Sequence, residues 1–380
     1  MPRGNKGQHE GETESTPTRR RTFLKSAGAA SAASMLGLAG CIGGLTGGSG
    51  TTTINIYTWE EYKDFKEQIE DKLDITVEYT IGTSSAKMFS AFNSGQDSQY
   101  DVVIPNNNYI PKLQQAGLLA PLQKDAVPNF ENLYGKFKEF ANTQFAADGD
   151  IYGVPIRFGW YGVSYDSRKI ENPEKSYSEL WNEENKGDII MYDNHFKSMS
   201  AAALSLGYTE AFEGSKVSLS DSQLEKVKQK LIEQKSLLQG YIAADPTYIK
   251  SFRQGNHTIG LSGRNEIVEM WANGDDWPEL YVPKEGSLAW FEGAGVSAKS
   301  DNKEMAWKVV NEYIGAKTGA ELAKVGYSPS CNPNTQEHLS SEQNDMFGKV
   351  DPGRLDGFIP FKAVENEEKW VTAWEDVKTA

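Results

Sequence analysis

The stretch that decides the fold reads Ile-Asn-Ile-Tyr-Thr-Trp-Glu-Glu-Tyr and covers residues 54–62. Its first half alternates apolar and polar side chains, which is the period of a half-buried β-strand. After Thr58 the apolar spacing changes to that of a helix, because Phe65, Ile69 and Leu73 follow at four-residue intervals. A strand that passes directly into a helix predicts an α/β fold.

Three side chains just after this strand, Trp59, Glu61 and Tyr62, indicate a binding surface. Indole and phenol rings attract ammonium groups, and a carboxylate supplies the counter-charge. Because open α/β sheets bind ligands at the carboxyl ends of their strands, we interpret these residues as one wall of a binding cleft. The residues alone leave an alternative open, in which Trp59 and Tyr62 only pack the first helix against the sheet.

The chain beyond this stretch keeps alternating between predicted strands and helices. Strands are expected at residues 75–81 and 101–105, and Ser84 is expected to cap the helix between them. The turn-punctuated run 151–165 predicts a crossover into a second lobe. Two α/β lobes are expected, because residues 54–380 exceed the length that one hydrophobic core usually serves.

One long amphipathic helix is predicted in the second half of the chain. Ser220 is expected to cap it. Its apolar side is expected to carry Leu224, Val227, Leu231 and Leu238. Its lysines and glutamates are interpreted as a solvated face.

The N-terminal residues are predicted to be a targeting sequence rather than part of the fold. Arg20–Lys25 reads as a twin-arginine export signal, and Leu38–Cys41 resembles a lipobox after a short apolar run. We therefore expect residues 1–40 to be a lipoprotein signal and Cys41 to carry a lipid on the outer face of the cell membrane. Residues 41–53, rich in Gly, Thr and Ser, predict a flexible tether.

Charge and cysteine content narrow the function further. The formal net charge of −14 argues against nucleic acid, whose binding needs a basic face. It suits either a high-salt habitat or the attraction of a cationic ligand. The chain has 2 cysteines. If Cys41 is acylated, Cys331 has no disulfide partner, and we expect it to be a small buried side chain.

The sequence carries no motif typical of an enzyme or a metal site, such as G-x-S-x-G, H-E-x-x-H or a P-loop. The four histidines are scattered at His9, His195, His257 and His338. We therefore expect no catalysis, no cofactor and no metal. Two alternatives stay open: a hydrolase using a carboxylate pair such as Glu61 and Glu292, and a sugar-binding protein whose tryptophans stack on the ligand.

Six short motifs follow one another along the chain. They are Tyr57-x-Trp59-x-Glu61-Tyr62, Tyr100–Pro105, Leu206-Gly207-Tyr208, Pro283–Gly286, Trp290-x-Glu292 and Gly326-Tyr327-x-Pro329. In this order and at this spacing, the chain resembles the spermidine/putrescine-binding proteins of bacterial ABC importers along nearly its whole mature length. The resemblance implies a two-lobed fold like that of the type II periplasmic binding proteins, with mixed sheets, flanking helices and a hinged cleft.

The resemblance also implies a division of the chain and a set of partners. Lobe 1 would contain residues 54–153 and a return segment 284–328, whereas lobe 2 would contain residues 154–283 and the C-terminal segment 329–380. A polyamine or related small amine would be captured by lobe closure. The implied partners are a membrane permease and an ATPase, and the binding protein itself would be a monomer.

The same resemblance places aromatic, acidic and amide side chains in the cleft. The aromatic residues are Trp59, Tyr62, Trp290 and Tyr327, the carboxylates are Glu61 and Glu292, and the amides are Asn106 and Asn108. The aromatic groups would cover the methylene groups of the ligand, and the carboxylates would bind its amines.

The second lobe departs from the family's pattern. The paired carboxylates of the family fall on Asn194 and Lys197, with Asp193 adjacent, and Arg264 lies beside a family tryptophan position. A lysine about 4 Å from a ligand ammonium would repel it by on the order of 4 kcal/mol at an effective dielectric near 20. Either Lys197 faces solvent and the site accepts an amine, or Lys197, Arg264 or Arg157 binds the anionic end of a zwitterion.

Overall fold

The computed structural model describes residues 51–348 and 355–380. The predicted signal 1–40, Cys41 and most of the predicted tether lie outside these residues. Within the described ranges, no helix has both the length and the apolar character that crossing a membrane requires.

The described part of the chain contains twelve β-strands. They are β1 (Thr53–Thr58), β2 (Thr76–Ile81), β3 (Val102–Val103), β4 (Ala146–Ala147), β5 (Asp150–Ile151), β6 (Val154–Asp166), β7 (Ile189–Tyr192), β8 (Leu238–Ile242), β9 (Ile259–Gly263), β10 (Pro278–Tyr281), β11 (Ser287–Val296) and β12 (Phe358–Pro360). The longest are β6 and β11, and both are buried along almost their full length.

Twelve α-helices accompany these strands in the same described ranges. They are α1 (Lys66–Leu73), α2 (Ser85–Asn93), α3 (Ile110–Gln115), α4 (Gly135–Gln144), α5 (His195–Ser205), α6 (Asp221–Gln234), α7 (Asp245–Arg253), α8 (Arg264–Ala272), α9 (Lys303–Tyr313), α10 (Ala316–Gly326), α11 (Ser341–Gln343) and α12 (Glu367–Thr379). A 3₁₀ turn, Glu60–Phe65, leads from β1 into α1.

Ten of the strands form one mixed sheet in the order β2-β1-β3-β11-β6-β9-β7-β8, with β10 beside β6 and β12 beside β11. The pairs at both ends are parallel: β1 with β2 and β3, and β7 with β8 and β9. In the middle, β11 runs antiparallel to both β3 and β6. The mixed α/β sheet with flanking helices is the predicted fold class, in which two parallel-stranded halves are joined by two long strands.

Local sequence signals explain where several helices begin. The Ser84 side chain accepts a hydrogen bond from the Lys87 N–H at the start of α2. Ser220 and Gln223 form a reciprocal capping box at the start of α6. The Asn194 side chain accepts a hydrogen bond from the Lys197 N–H at the start of α5. Each cap satisfies backbone N–H groups that have no partner within the helix, so the predicted starts of α2 and α6 are confirmed.

The two central strands supply both large hydrophobic clusters. On β6, Phe158 and Trp160 belong to the first cluster, which also contains the strands β1 to β3, whereas Val163 belongs to the second. On β11, Phe291 packs in the first cluster and the neighbouring Trp290 in the second, because successive side chains point to opposite faces. The residue ranges of the two lobes stay a prediction.

The cysteine expected to be buried lies in the first cluster. Cys331 is fully buried and forms no disulfide. Burial raises the pKa of its thiol well above the ordinary value. Its backbone N–H donates to the Ile156 carbonyl at 2.8 Å, so the cysteine is held beside β6.

The prediction for Leu238 is wrong. Helix α6 ends at Gln234, and Leu238 is the first residue of β8, which pairs in parallel with β7. Leu238 follows Leu231 by seven residues. It therefore continues the apolar spacing of a helix, although the helix has ended before it. The edge strand β8 and the helices α4 and α10 were not predicted.

His257 is a buried imidazole packed between aromatic rings. Its ring stacks on Phe252 with the centroids 4.7 Å apart, and its centroid lies 4.8 Å from that of Tyr248. Its Nδ1 is 3.0 Å from the Ser251 hydroxyl. Burial, with a smaller contribution from Lys169, lowers the pKa of His257 from 6.5 to about 3.

This pKa makes the stability of the fold depend on pH. The unfolded chain takes up a proton at His257 below about pH 6.5, whereas the folded protein does so only near pH 3. The free energy of unfolding should therefore fall as the pH drops below 6.5, by up to about 1.4 kcal/mol per pH unit. Urea titrations of the wild type and of His257→Gln between pH 7 and pH 5 measure this, and the variant should show the shallower dependence.

The exposed His338 provides the control for this comparison. His338→Gln should keep the wild-type pH dependence. Parallel profiles for the wild type and His257→Gln would contradict a neutral buried imidazole.

Candidate functional site

A cavity of about 520 Å³ lies where several strands end. It is lined by Trp59 after β1, Asn106 after β3, Asp245 after β8 and Asn265 after β9. These positions follow the carboxyl ends of strands, which is where sheets of this kind bind ligands.

A second cavity of about 510 Å³ adjoins the first. Both are lined by Trp59, Asn106, Lys197 and Asp245. Because they share these walls, we treat them together as one candidate site.

The structure brings half of the sequence-predicted site residues to the first cavity. These are Trp59, Glu61, Asn106, Lys197, Trp290 and Glu292. Asn108 and Asn194 line the adjoining cavity. Tyr62 lies fully buried behind the cavity wall, where its hydroxyl donates a hydrogen bond to Glu292.

Besides Tyr62, three other predicted residues line neither cavity, so four of the predicted positions are wrong as cavity-lining residues. Asp193 is exposed, and its carboxylate accepts a hydrogen bond from Trp374 Nε1 at 3.2 Å. The Arg264 guanidinium lies 4.9 Å from the centre of the Trp160 ring and donates to the Met346 carbonyl. Tyr327 follows the last residue of α10 and has a left-handed backbone. Its neighbour Gly326 lines the first cavity, whereas Tyr327 does not.

Arg157, on β6, joins the two predicted carboxylates into one ion cluster. Its Nε and Nη2 donate to the two oxygens of Glu292 at 2.8 and 2.7 Å, and Nη2 also donates to Glu61. Glu292 is 3 % exposed and Arg157 5 %, so this pair lies beneath the cavity surface. The Glu61 side chain is 23 % exposed and forms the part of the cluster that solvent reaches.

The remaining donors of Arg157 are also occupied. Nη1 donates to the Gly326 carbonyl at 3.2 Å and to Ser328 Oγ at 3.1 Å. A guanidinium has five N–H groups, and the five bonds of Arg157 match that number. A Cβ atom at Gly326 would lie 1.8 Å from Nη1, so this close approach requires glycine.

The position of Glu292 depends on an irregularity in β11. The register between β11 and β6 shifts between Phe291 and Gly293, which places Glu292 at a β-bulge. Glu292 pairs there with Asn106 in an isolated bridge. Bulges redirect a side chain and recur beside functional sites, and this one turns a carboxylate of a buried strand towards Arg157.

Two indoles form the aromatic part of the wall. A Cβ atom at Gly159 would lie 2.6 Å from the Trp290 ring, so glycine on β6 allows this indole to lie across the strand. Trp59 is half-buried, and its Nε1 has no hydrogen-bond partner among the described residues. The buried Oδ1 of Asn108 likewise has none there. These two buried polar atoms are thus unpaired within the described part of the chain.

The opposite wall contains Lys197 between two tyrosines. Its Nζ lies 4.0 Å from the centre of the Tyr192 ring and 4.6 Å from that of Tyr161. The Tyr192 hydroxyl lies within hydrogen-bond distance of Asp245 Oδ1, at 3.0 Å, and of Glu266 Oε1.

Burial and mutual proximity shift the pKa values of these groups. Burial raises the pKa of Glu266 to about 8, and the nearby Asp245 charge adds to this. Burial lowers the pKa of Lys197, although the attraction of both carboxylates opposes the shift. At neutral pH the Glu266 carboxyl group is therefore largely protonated.

Sequence reasoning missed Asp245, Glu266 and Tyr161, and it assigned Arg157 only to an anionic ligand end. Asp245 opens α7 directly after β8, and that position would have pointed to it. The misassignment of Leu238 to a helix concealed this strand. Glu266 would have been found as the third residue of α8, whose first turn follows the end of β9.

The fold and the cleft at the strand ends define a solute-binding protein of the periplasmic type, as predicted. Residues 61–347 match the family model described as bacterial extracellular solute-binding protein. The chain belongs to this family.

Named relatives include transport proteins. The spermidine/putrescine-binding periplasmic protein of Salmonella typhimurium is 25 % identical over 298 residues, which are 77 % of this chain and 82 % of the relative. The putrescine-binding periplasmic protein SpuD of Pseudomonas aeruginosa is 23 % identical over 316 residues, covering 78 % and 83 %.

Solved structures show the same fold. The spermidine/putrescine ABC transporter substrate-binding protein PotD from Streptococcus pneumoniae aligns with a TM-score of 0.72 at 22 % identity, over 87 % of this chain and 98 % of that one. The Tp0655 (TpPotD) lipoprotein of Treponema pallidum aligns with a TM-score of 0.72 at 16 % identity, over 86 % and 100 %.

The Arg157–Glu292 pair should be strongly coupled in stability. Arg157→Met leaves a buried carboxylate without its partner, so the free energy of unfolding should fall by about 3 kcal/mol or more. Arg157→Met combined with Glu292→Gln should recover much of that loss, because the carboxylate that remains, Glu61, is partly exposed to solvent. Urea unfolding of the wild type, both single variants and the double variant measures the coupling.

The surface pair Arg253–Asp275 is the control, since its side chains are 37 % and 25 % exposed. Arg253→Met should cost less than about 1 kcal/mol. If the losses of unfolding free energy in the Arg157 and Glu292 single variants simply add up to the loss in the double variant, this result would contradict a buried, mutually dependent pair.

Proposed function

We propose that this chain is the extracytoplasmic substrate-binding component of an ABC importer and captures a polyamine or a related small organic amine. Membership of the solute-binding family and the relatives named for spermidine and putrescine support the proposal. The single observation that carries it is the negatively charged, indole-walled cluster of Glu61, Glu292 and Arg157 at the cavity.

The charge of this cluster favours a cation. Two carboxylates face one guanidinium, so one negative charge is left over. Glu61 is the member of the cluster that is exposed to solvent. The indoles of Trp59 and Trp290 line the same cavity. Aromatic faces next to a carboxylate are the surroundings that attract an alkylammonium group.

Arg157 does not favour the zwitterion alternative. An arginine that binds a ligand carboxylate needs N–H groups that point to the ligand. All five N–H groups of Arg157 are matched by bonds to protein acceptors. We therefore assign Arg157 to holding the two carboxylates in place.

We also propose the delivery route and the partners. A twin-arginine signal would export the folded chain, and a lipid on Cys41 would hold it on the outer face of the membrane. There it would pass its solute to a permease driven by an ATPase, acting as a monomer. No covalent step on the solute is required, because lobe closure alone completes the contacts.

The thermal transition of the purified domain tests the solute class. A panel of polyamines, simple monoamines, amino acids, betaines and sugars is added to residues 51–380. A ligand present at 100 times its Kd should stabilise the fold by about 2.7 kcal/mol and raise its Tm. We expect amines to give this shift. A shift with sugars alone would refute the amine proposal.

Substitution of a tryptophan tests the position of the site. Trp59→Leu removes an indole from both cavities, and the amine-induced rise in Tm should be lost. Trp277→Leu is the matched control, because Trp277 packs against Phe252 and lies away from the cavities. An unchanged response in Trp59→Leu would place the amine elsewhere.

The lipid anchor has a separate test. Cys41→Ser removes the thiol that lipidation requires, so the protein should move from the membrane fraction of expressing cells to the soluble fraction. Cys331→Ser, a buried position, should stay in the membrane fraction. Membrane retention of Cys41→Ser would contradict the proposed anchor.

A further inference from the structure

The wall opposite Glu61 holds an ammonium group that belongs to the protein. Lys197 is the third residue of α5, and its Nζ lies over the rings of Tyr192 and Tyr161 at 4.0 and 4.6 Å. Both distances are well within the roughly 6 Å over which an aromatic face attracts a cation. Lys197 lines both cavities, so a bound solute would meet this wall.

Two acidic side chains complete the surroundings of this ammonium. The Tyr192 hydroxyl lies within hydrogen-bond distance of both Asp245 and Glu266. Glu266 is 1 % exposed, and its Oε2 has no hydrogen-bond partner among the described residues. Aromatic rings backed by acids are what a second ligand ammonium would require, and the side chain of Lys197 already occupies that place.

The charges of the two walls differ. On the Lys197 wall, Lys197 and Asp245 have opposite formal charges, while Glu266, with a pKa of about 8, is mostly protonated at pH 7. On the other wall, Glu61 and Glu292 exceed Arg157 by one negative charge. Of these two groups of charges, the one that includes Glu61 therefore keeps the uncompensated negative charge that would hold a cation.

We infer that Lys197 stands in for the second ammonium of a diamine, so that the site selects solutes with one ammonium group and an uncharged far end. This inference rests on the proposed function and narrows the class of amine. A second ligand ammonium about 4 Å from Nζ, at an effective dielectric near 20, would weaken binding by about a thousandfold. Lys197 is thereby a residue that determines specificity.

Three solutes with the same four-carbon chain test the inference. Butylamine has an uncharged far end, 1,4-diaminobutane a cationic one and 4-aminobutanoate an anionic one. Calorimetric titration of residues 51–380 should show that butylamine binds at least about tenfold more tightly than 1,4-diaminobutane. Lys197→Met introduces a neutral side chain of similar length. It should raise the affinity for 1,4-diaminobutane by about tenfold or more and change the affinity for butylamine by less than about threefold.

Two further variants separate charge from structure. Lys197→Arg keeps the cation and should still reject the diamine. Lys230→Met is the matched control, because Lys230 Nζ lies 4.6 Å from the Trp181 ring in the same type of contact but lines neither cavity. The affinities of Lys230→Met for the three solutes should equal those of the wild type. Should Lys197→Met not fold, the wild-type order of the three solutes and Lys197→Arg still decide.

Each outcome bears on one of the two proposals. A wild type that prefers 1,4-diaminobutane, or a Lys197→Met variant with the wild-type order, would overturn the inference and leave the amine-binding function intact. A wild-type preference for 4-aminobutanoate that Lys197→Met abolishes would show that Lys197 binds an anion, which also overturns the inference. If no amine binds either protein while another class of solute does, the proposed function itself fails.

Discussion

The guanidinium of Arg157 is the constraint on which the site depends. It reaches from β6 to Glu292 on β11, to Glu61 in the turn after β1, and to the chain just beyond α10. A buried carboxylate is tolerated only when its charge is paired and its oxygens are hydrogen-bonded. Arg157 meets this requirement for Glu292, with Tyr62 as an additional donor. The four segments are therefore held together by one charged group rather than by apolar packing alone.

The same cluster explains how the proposed site for cations can lie on a strand that is buried along its length. Two unpaired carboxylates would repel each other and shift towards the protonated state. Arg157 lies between them and offsets one of the two formal negative charges, so the cluster retains a net negative charge. Lys197 has the analogous position on the opposite wall, where it lies over two tyrosine rings and is attracted by Asp245. The protein's own cations thus set how much charge each wall can offer.

Much of the N-terminal part of the sheet could be predicted from the sequence, because its signals are local. The alternation in β1, the cap at Ser84 and the position of Trp59 after a strand all depend on neighbouring residues. The pairing of Arg157 with Glu292 could not be predicted, since the partners are 135 residues apart and a bulge sets the direction of Glu292. Asp245 was missed for a different reason: Leu238 happens to continue the spacing of α6.

The buried thiol of Cys331 gives the molecule an internal reporter of opening. Its neighbour Ser330 forms a bridge with Arg157, so the sulfur lies one residue from the segment that contacts the ion cluster. A thiol that is fully buried and held protonated reacts very slowly with alkylating reagents. The rate of labelling of that sulfur in the mature chain would consequently report how often the segment that contains Cys331 separates from β6. A bound solute that stabilises this region would slow the labelling.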